Sequence, residues 1–126
     1  MELSKSYKDL EVWKKSIELV AEVYKATEKF PASEQYGLVN QMQRAAVAIP
    51  SNIAEGQKRG HPKEFLQFLY ISYGSGAELE TQIEICKRLP KLKDLGYTQA
   101  EALLQEVMKM LNVLIRSLKS SGSAIN

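Results

Sequence analysis

The chain is poor in the residues that usually carry chemistry. Its 126 positions hold one cysteine and one histidine. A single cysteine, Cys86, cannot build an internal disulfide framework and suits a reducing compartment. Cys86 and His61 together fall short of the several Cys or His ligands a zinc site needs. No histidine is placed to pair with the cysteine, so a thiolate nucleophile has no base. No apolar run approaches the roughly 18 residues of a membrane span, and no basic start leads into an apolar leader. The expected location is the cytoplasm, with no membrane partner. An excess of one charge is missing too. Seventeen basic and 15 acidic side chains leave a formal +2, which demands no polyanionic partner.

What remains is helical patterning. With 44% hydrophobic and 25% charged residues, the composition is that of one folded domain. Helical periodicity breaks only at Phe30 to Ser33, Gly60 to Pro62, Leu89 to Thr98 and the end of the chain. The four segments between these breaks show no two-residue alternation. The first, from Tyr7 to Lys29, carries Leu10, Trp13, Ile17, Val20 and Tyr24 at 3-4-3-4 spacing, a seam that should face a core. A second row, Val12, Leu19 and Val23, lies about 100° further round and marks a candidate oligomer interface. In the second segment Ser33 should cap the helix, with Met42, Ala46, Ile49 and Ile53 inward and Pro50 kinking it. The third has Phe65, Leu69, Ser72, Gly76, Leu79, Ile83 and Cys86 in one unbroken row. Gly74 and Gly76 there should recover their helix penalty through close approach to the second helix. Thr98 and Glu101 read as a capping box for the fourth, whose seam is Leu104, Val107, Leu111, Leu114 and Leu118. Short connections make neighbours antiparallel. The expected fold is all-α, an antiparallel up-down-up-down four-helix bundle in one domain, residues 1–119, with 120–126 a frayed tail.

Few residue patterns in the chain suit a site. Glu78, Glu80 and Glu84 lack the Glu-x-x-His pairing of a di-metal bundle, and "GSG" at 74–76 lacks the strand and lysine of a phosphate loop. No enzyme activity and no cofactor is expected. One constellation stands out around "RAAVAIPSNIAEG". Arg44, Ser51, Asn52 and Glu55 on the second helix, with Ser75 and Glu78 on the third, form a candidate polar network that fixes helix register. Arg44 facing Glu78 reads as a bidentate ion pair. Basic residues gather at Lys58, Arg59 and Lys63, and again at Lys87, Arg88, Lys91 and Lys93. Both clusters are candidate nucleic-acid contacts, at opposite ends of the bundle and diluted by acidic neighbours.

The segments "LEVWKKSIELVAEVYKAT", "FPASEQYGLVNQMQRAAVAIPSNIAEGQKRG", "EFLQFLYISYGSGAELETQIEIC" and "LNVLIRSLK" occur in order. Together they resemble the bacterial four-helix-bundle family of 23S rRNA-intervening-sequence proteins, over about Leu10 to Lys119. The accessory variability-determinant proteins of diversity-generating retroelements look like relatives. The resemblance implies a homopentamer and no catalytic residue. It also implies a scaffold or interaction role, with nucleic acid (RNA or DNA) or a reverse-transcriptase-like protein as partner.

Overall fold

The sequence breaks separate four α-helices in a computed structural model that describes residues 6–125, with side chains through Ser121. They are α1 (Glu11–Thr27), α2 (Asn40–Lys58), α3 (Pro62–Cys86) and α4 (Thr98–Ile125), with a 3-10 turn, Tyr7–Asp9, before α1. Pro62 occupies the first turn of α3, where its missing N–H costs nothing. Gly60 makes the turn before it at φ 76°, a conformation glycine adopts freely.

Around the bundle, α1 packs on α2 and α4, and α3 packs on the same two helices. Point contacts set the directions. Gly56 abuts Phe65 and Phe68 while Met42 meets Cys86, so α2 and α3 run antiparallel. Gly76 abuts Met108 and Lys87 pairs with Glu101, so α3 and α4 do as well. Lys15 pairs with Glu106 and Lys29 reaches the Leu95 carbonyl, which gives the same relation for α1 and α4.

Helix ends differ from the sequence reading. Ser33 falls in a 3-10 turn, Ala32–Glu34, followed by a π turn, Gln35–Val39. Gly37 leaves helical geometry there (φ −111°, ψ −109°), so α2 begins only at Asn40. Thr98 is already inside α4: the Glu101 N–H donates to the Tyr97 carbonyl at 2.8 Å, and the Glu101 carboxylate goes to Lys87. At the other end α4 continues to Ile125, through the residues read as a frayed tail, since extending a formed helix adds one bond per residue. Asn126 lies outside the described residues.

The core confirms the inner rows of α2 and α3: Met42, Ala46, Ile49 and Ile53, and every residue from Phe65 to Cys86 in the third row that has a side chain, are buried. On α4, Ile115 is buried where Leu114 was expected, and Leu114 is half-buried. On α1 the expectation is reversed. Val12, Leu19 and Val23 are 5%, 0% and 1% exposed and form part of the monomer core, so they are not an oligomer interface. The other row, with Ile17 43% and Tyr24 45% exposed, faces outward. Ser16 explains the inversion. It completes the buried row at 4-3-4-3 spacing with Val12, Leu19, Val23 and Ala26, its hydroxyl satisfied by the Trp13 carbonyl at 2.7 Å.

The glycines also pair differently. Gly76 faces α4, where a Cβ would lie 2.3 Å from the Met108 sulfur, and Gly74 has open space around it. Gly56 is the point of close approach between α2 and α3, with a Cβ 2.6 Å from that of Phe68. Pro50 is buried inside α2, which continues through it to Lys58. The ring removes the donor that would serve the Ala46 carbonyl. One bond ties this region to α3: the buried Ser72 hydroxyl donates to the Ile49 carbonyl at 2.9 Å. Ser72→Ala should lower stability by about 1 kcal/mol in denaturant unfolding, with no change in fold.

Candidate functional site

Three surfaces compete as the site. The first is the polar constellation around the proline of α2. Arg44, Ser75 and Glu78 do come together, with Asn40, Gln41, Ala45 and Ala48, along a groove of about 290 Å³ between α2 and α3. The expected Arg44–Glu78 ion pair is absent among the described residues. Arg44 is exposed and makes no ion pair, while Glu78 accepts from the Gln82 amide at 3.5 Å. Both side chains sit at the protein surface, where water competes for them, and so the pair contributes no register. Asn52 donates to the Ala48 carbonyl at 2.8 Å, within its own helix. Glu55 pairs with Arg59 at 3.0 Å, and that guanidinium lies 5.1 Å from the Phe68 ring centre. Ser51 is exposed. Three of the six residues, Asn52, Glu55 and Glu78, thus bond locally rather than to one another. The cross-helix bond belongs to Ser72, whose buried place in the inner row of α3 was the available signal.

The second surface comprises the two basic clusters. Arg59 is held by Glu55, Lys87 by Glu101 at 2.9 Å and Arg88 by Glu84 at 3.2 Å. Lys58, Lys63, Lys91 and Lys93 are exposed and make no ion pair among the described residues. Much of the charge counted in the sequence is thus neutralised at i,i+4 and interhelical distances.

The third surface is apolar, and the sequence placed it inward. Trp13, Ile17, Val20 and Tyr24 run along α1 beside Val47 of α2, which is 40% exposed. Tyr24 and Val47 line one groove with Asn40, Gln43, Arg44 and Ala48. On the other side of α1 a second groove, about 440 Å³, is lined by Leu10, Val12, Met110, Val113 and Leu114, together with Glu11, Lys109 and Ser117. Val113 at its rim is 67% exposed. Two contiguous apolar surfaces thus flank a single helix. Scattered exposed apolar residues need no explanation, but contiguous ones mark contact surfaces.

Chemistry inside the bundle is subdued. Cys86 is buried, its Sγ 3.6 Å from the Met42 sulfur, and burial pushes its thiol pKa up. Tyr97 is buried too, donating to the Leu92 carbonyl at 2.6 Å, and burial raises its pKa as well. A raised folded pKa means the folded chain keeps a proton the unfolded chain has lost. Stability should therefore fall as pH rises above about 8.5, the ordinary thiol value, and more steeply above about 10. Urea midpoints measured from pH 7 to 11 check this. Among the described residues no group of three or more His, Cys, Asp or Glu is placed to hold a metal ion. No helix there is long and apolar enough to cross a membrane.

No curated protein matches the chain. A family model does, over residues 8–113, and its span takes in α1, α2, α3 and most of α4. The chain belongs to the 23S rRNA-intervening sequence protein family.

Proposed function

We propose that the chain is a non-enzymatic, cytoplasmic interaction protein that works as a homo-oligomer, in a setting associated with ribosomal RNA. The observation that carries the reading is the outward apolar row of α1. Trp13, Ile17, Val20 and Tyr24 keep helical seam spacing; Trp13 and Val20 rest partly buried against the rim of the core, while Ile17 and Tyr24 stand exposed beyond it. An apolar seam that its own chain covers only in part is suited to a second copy. The groove on the far side of α1 supplies a different apolar surface. Two unlike surfaces on one chain fit head-to-tail contacts, which close into rings when the rotation permits. A homopentamer, implied by the resemblance to the retroelement accessory proteins, is such a ring. The interface of a stable complex removes about 800 Å² per partner, within reach of a helix-long strip.

The rRNA association rests on the family description. The absence of enzyme activity rests on supply: His61 is an exposed turn residue, and the buried Cys86 thiol has a raised pKa. A retroelement-like partner, a reverse transcriptase among them, would use the outer surface of the assembled ring.

The double variant Ile17→Asp/Tyr24→Asp tests the assembly. Both side chains are exposed, so the helical circular dichroism should be retained while the mass falls to one chain, and the unfolding midpoint should fall only by the stabilisation that assembly supplied. A variant that keeps the mass of the unmodified protein would remove the α1 strip from the interface.

A further inference from the structure

We propose that the outer face shared by α3 and the C-terminal half of α4 binds single-stranded RNA. Its cations are not adjacent in the chain and come together only on the coiled helix. After Glu106 there is no acidic residue, and Lys109, Arg116 and Lys119 are the only charged side chains in residues 107–126. With Asn112 they are spaced 3-4-3, which places all four on one stripe of α4. The three cations are exposed and make no ion pair among the described residues. At the bundle ends Arg59, Lys87 and Arg88 are held by carboxylates, and the unpaired Lys58, Lys63, Lys91 and Lys93 stand among acidic neighbours, which the α4 stripe lacks after Glu106.

The neighbouring part of α3 is uncharged from Phe65 to Ala77 and carries Tyr70, 47% exposed, and Tyr73, half-buried. Gly76 abuts Met108, and the two helices are antiparallel. That register sets Tyr73 level with Leu111 and Tyr70 level with Leu114, between Lys109 and Lys119. At 100° per residue, Tyr73 and Tyr70 step outward from Gly76 on α3 in increments of about 60°. Asn112 and Arg116 step outward from Met108 on α4 by about 40° each, on the facing side. The tyrosines and the stripe therefore belong to one surface. The acidic residues of the same side, Glu80, Glu84 and Glu101, lie beyond Gly76 toward the other end, and two of them are taken by Arg88 and Lys87.

The chemistry selects the partner. Lys109 to Lys119 spans about 15 Å, enough for about three phosphates of one strand. Exposed tyrosine rings stack on unpaired bases of any sequence, and a duplex keeps its bases inside. This face lies across the bundle from the α1–α2 strip and stays open when that strip is covered; of its cations, Lys109 also lines the α1–α4 groove, while Arg116 and Lys119 do not.

Fluorescence anisotropy with a labelled 12-nucleotide RNA, single-stranded and as a duplex, tests the proposal. Single-strand affinity should fall about 20-fold between 50 and 200 mM salt, the slope of about −2 expected for three phosphate contacts. K109Q/R116Q/K119Q should abolish most of that slope and weaken binding at least about 10-fold at 50 mM salt. Tyr70→Ala should weaken binding about 5- to 100-fold with the slope unchanged. K91Q/K93Q, at the opposite end, should bind like the unmodified protein. Unfolding midpoints confirm that each variant is folded. The proposal is overturned if no single strand binds at 50 mM salt, if the stripe variant binds normally, if K91Q/K93Q loses binding equally, or if the duplex binds as tightly as the single strand.

Discussion

Leu19→Asp should leave the chain unfolded, while Ile17→Asp, two residues earlier on the same helix, should fold normally. Leu19 is completely buried among the core residues of the bundle. The substitution forfeits about 1.5–3 kcal/mol of apolar burial and leaves a carboxylate without a partner, at a further several kcal/mol. The total rivals the roughly 5–15 kcal/mol by which a domain of this kind is stable. Ile17 is 43% exposed, and an aspartate there stays in water. Circular dichroism and thermal melts of the two variants decide which row of α1 is the core. If Leu19→Asp gives a folded monomer, the assignment of the two rows is wrong.

The second large effect belongs to Gly56. A Cβ at this position would stand 2.6 Å from the Phe68 Cβ and 3.0 Å from Phe65 Cδ1. The Phe68 Cβ is fixed to its own backbone, so no rotamer change relieves the overlap and α2 must move away from α3. Gly56→Val should cost about 3 kcal/mol, the upper end of overpacking penalties, against a gain of a few tenths from helix propensity. For a chain of this length the melting temperature should drop by about 10 °C. Gly74 is the control. Nothing lies within 4 Å of its Cβ position, so Gly74→Val should leave the melting temperature unchanged or slightly raised. Equal losses at both positions would show that helix contact is not what Gly56 provides.

Element existence was legible in the sequence because Pro31, Pro62 and Pro90 and the Gly60 turn interrupt otherwise unbroken periodicity. The inner rows of α2 and α3 were legible because each helix has one apolar stripe of helical spacing. α1 was misread for a physical reason. It carries two such rows, and the one with Trp13 and Tyr24 offers more apolar area, whereas the one that is buried contains Ser16. A hydroxyl returned to its own backbone costs little, so the smaller, smoother row packs inside. The polar site was half legible. Arg44, Ser75 and Glu78 do share a groove between α2 and α3. Sequence spacing cannot tell an exposed pair from a bonded one, and Arg44, at the surface, makes no ion pair among the described residues. The segment from Leu89 to Thr98 read as a plain connection, yet Leu92 and Tyr97 within it are buried, and Phe30 stacks edge-on to Tyr97 at 6.3 Å. Isolated apolar residues in a loop carry no period to reveal this. The cationic stripe of α4 was missed because helical neighbours stand three and four apart in sequence.

The central claim is that the outward row of α1 is an interface between copies of this chain. Light scattering on the unmodified protein at micromolar concentration tests it most directly. The account predicts an assembly of several chains, about 71 kDa for five copies of 14.2 kDa. A mass of 14.2 kDa at that concentration would contradict it.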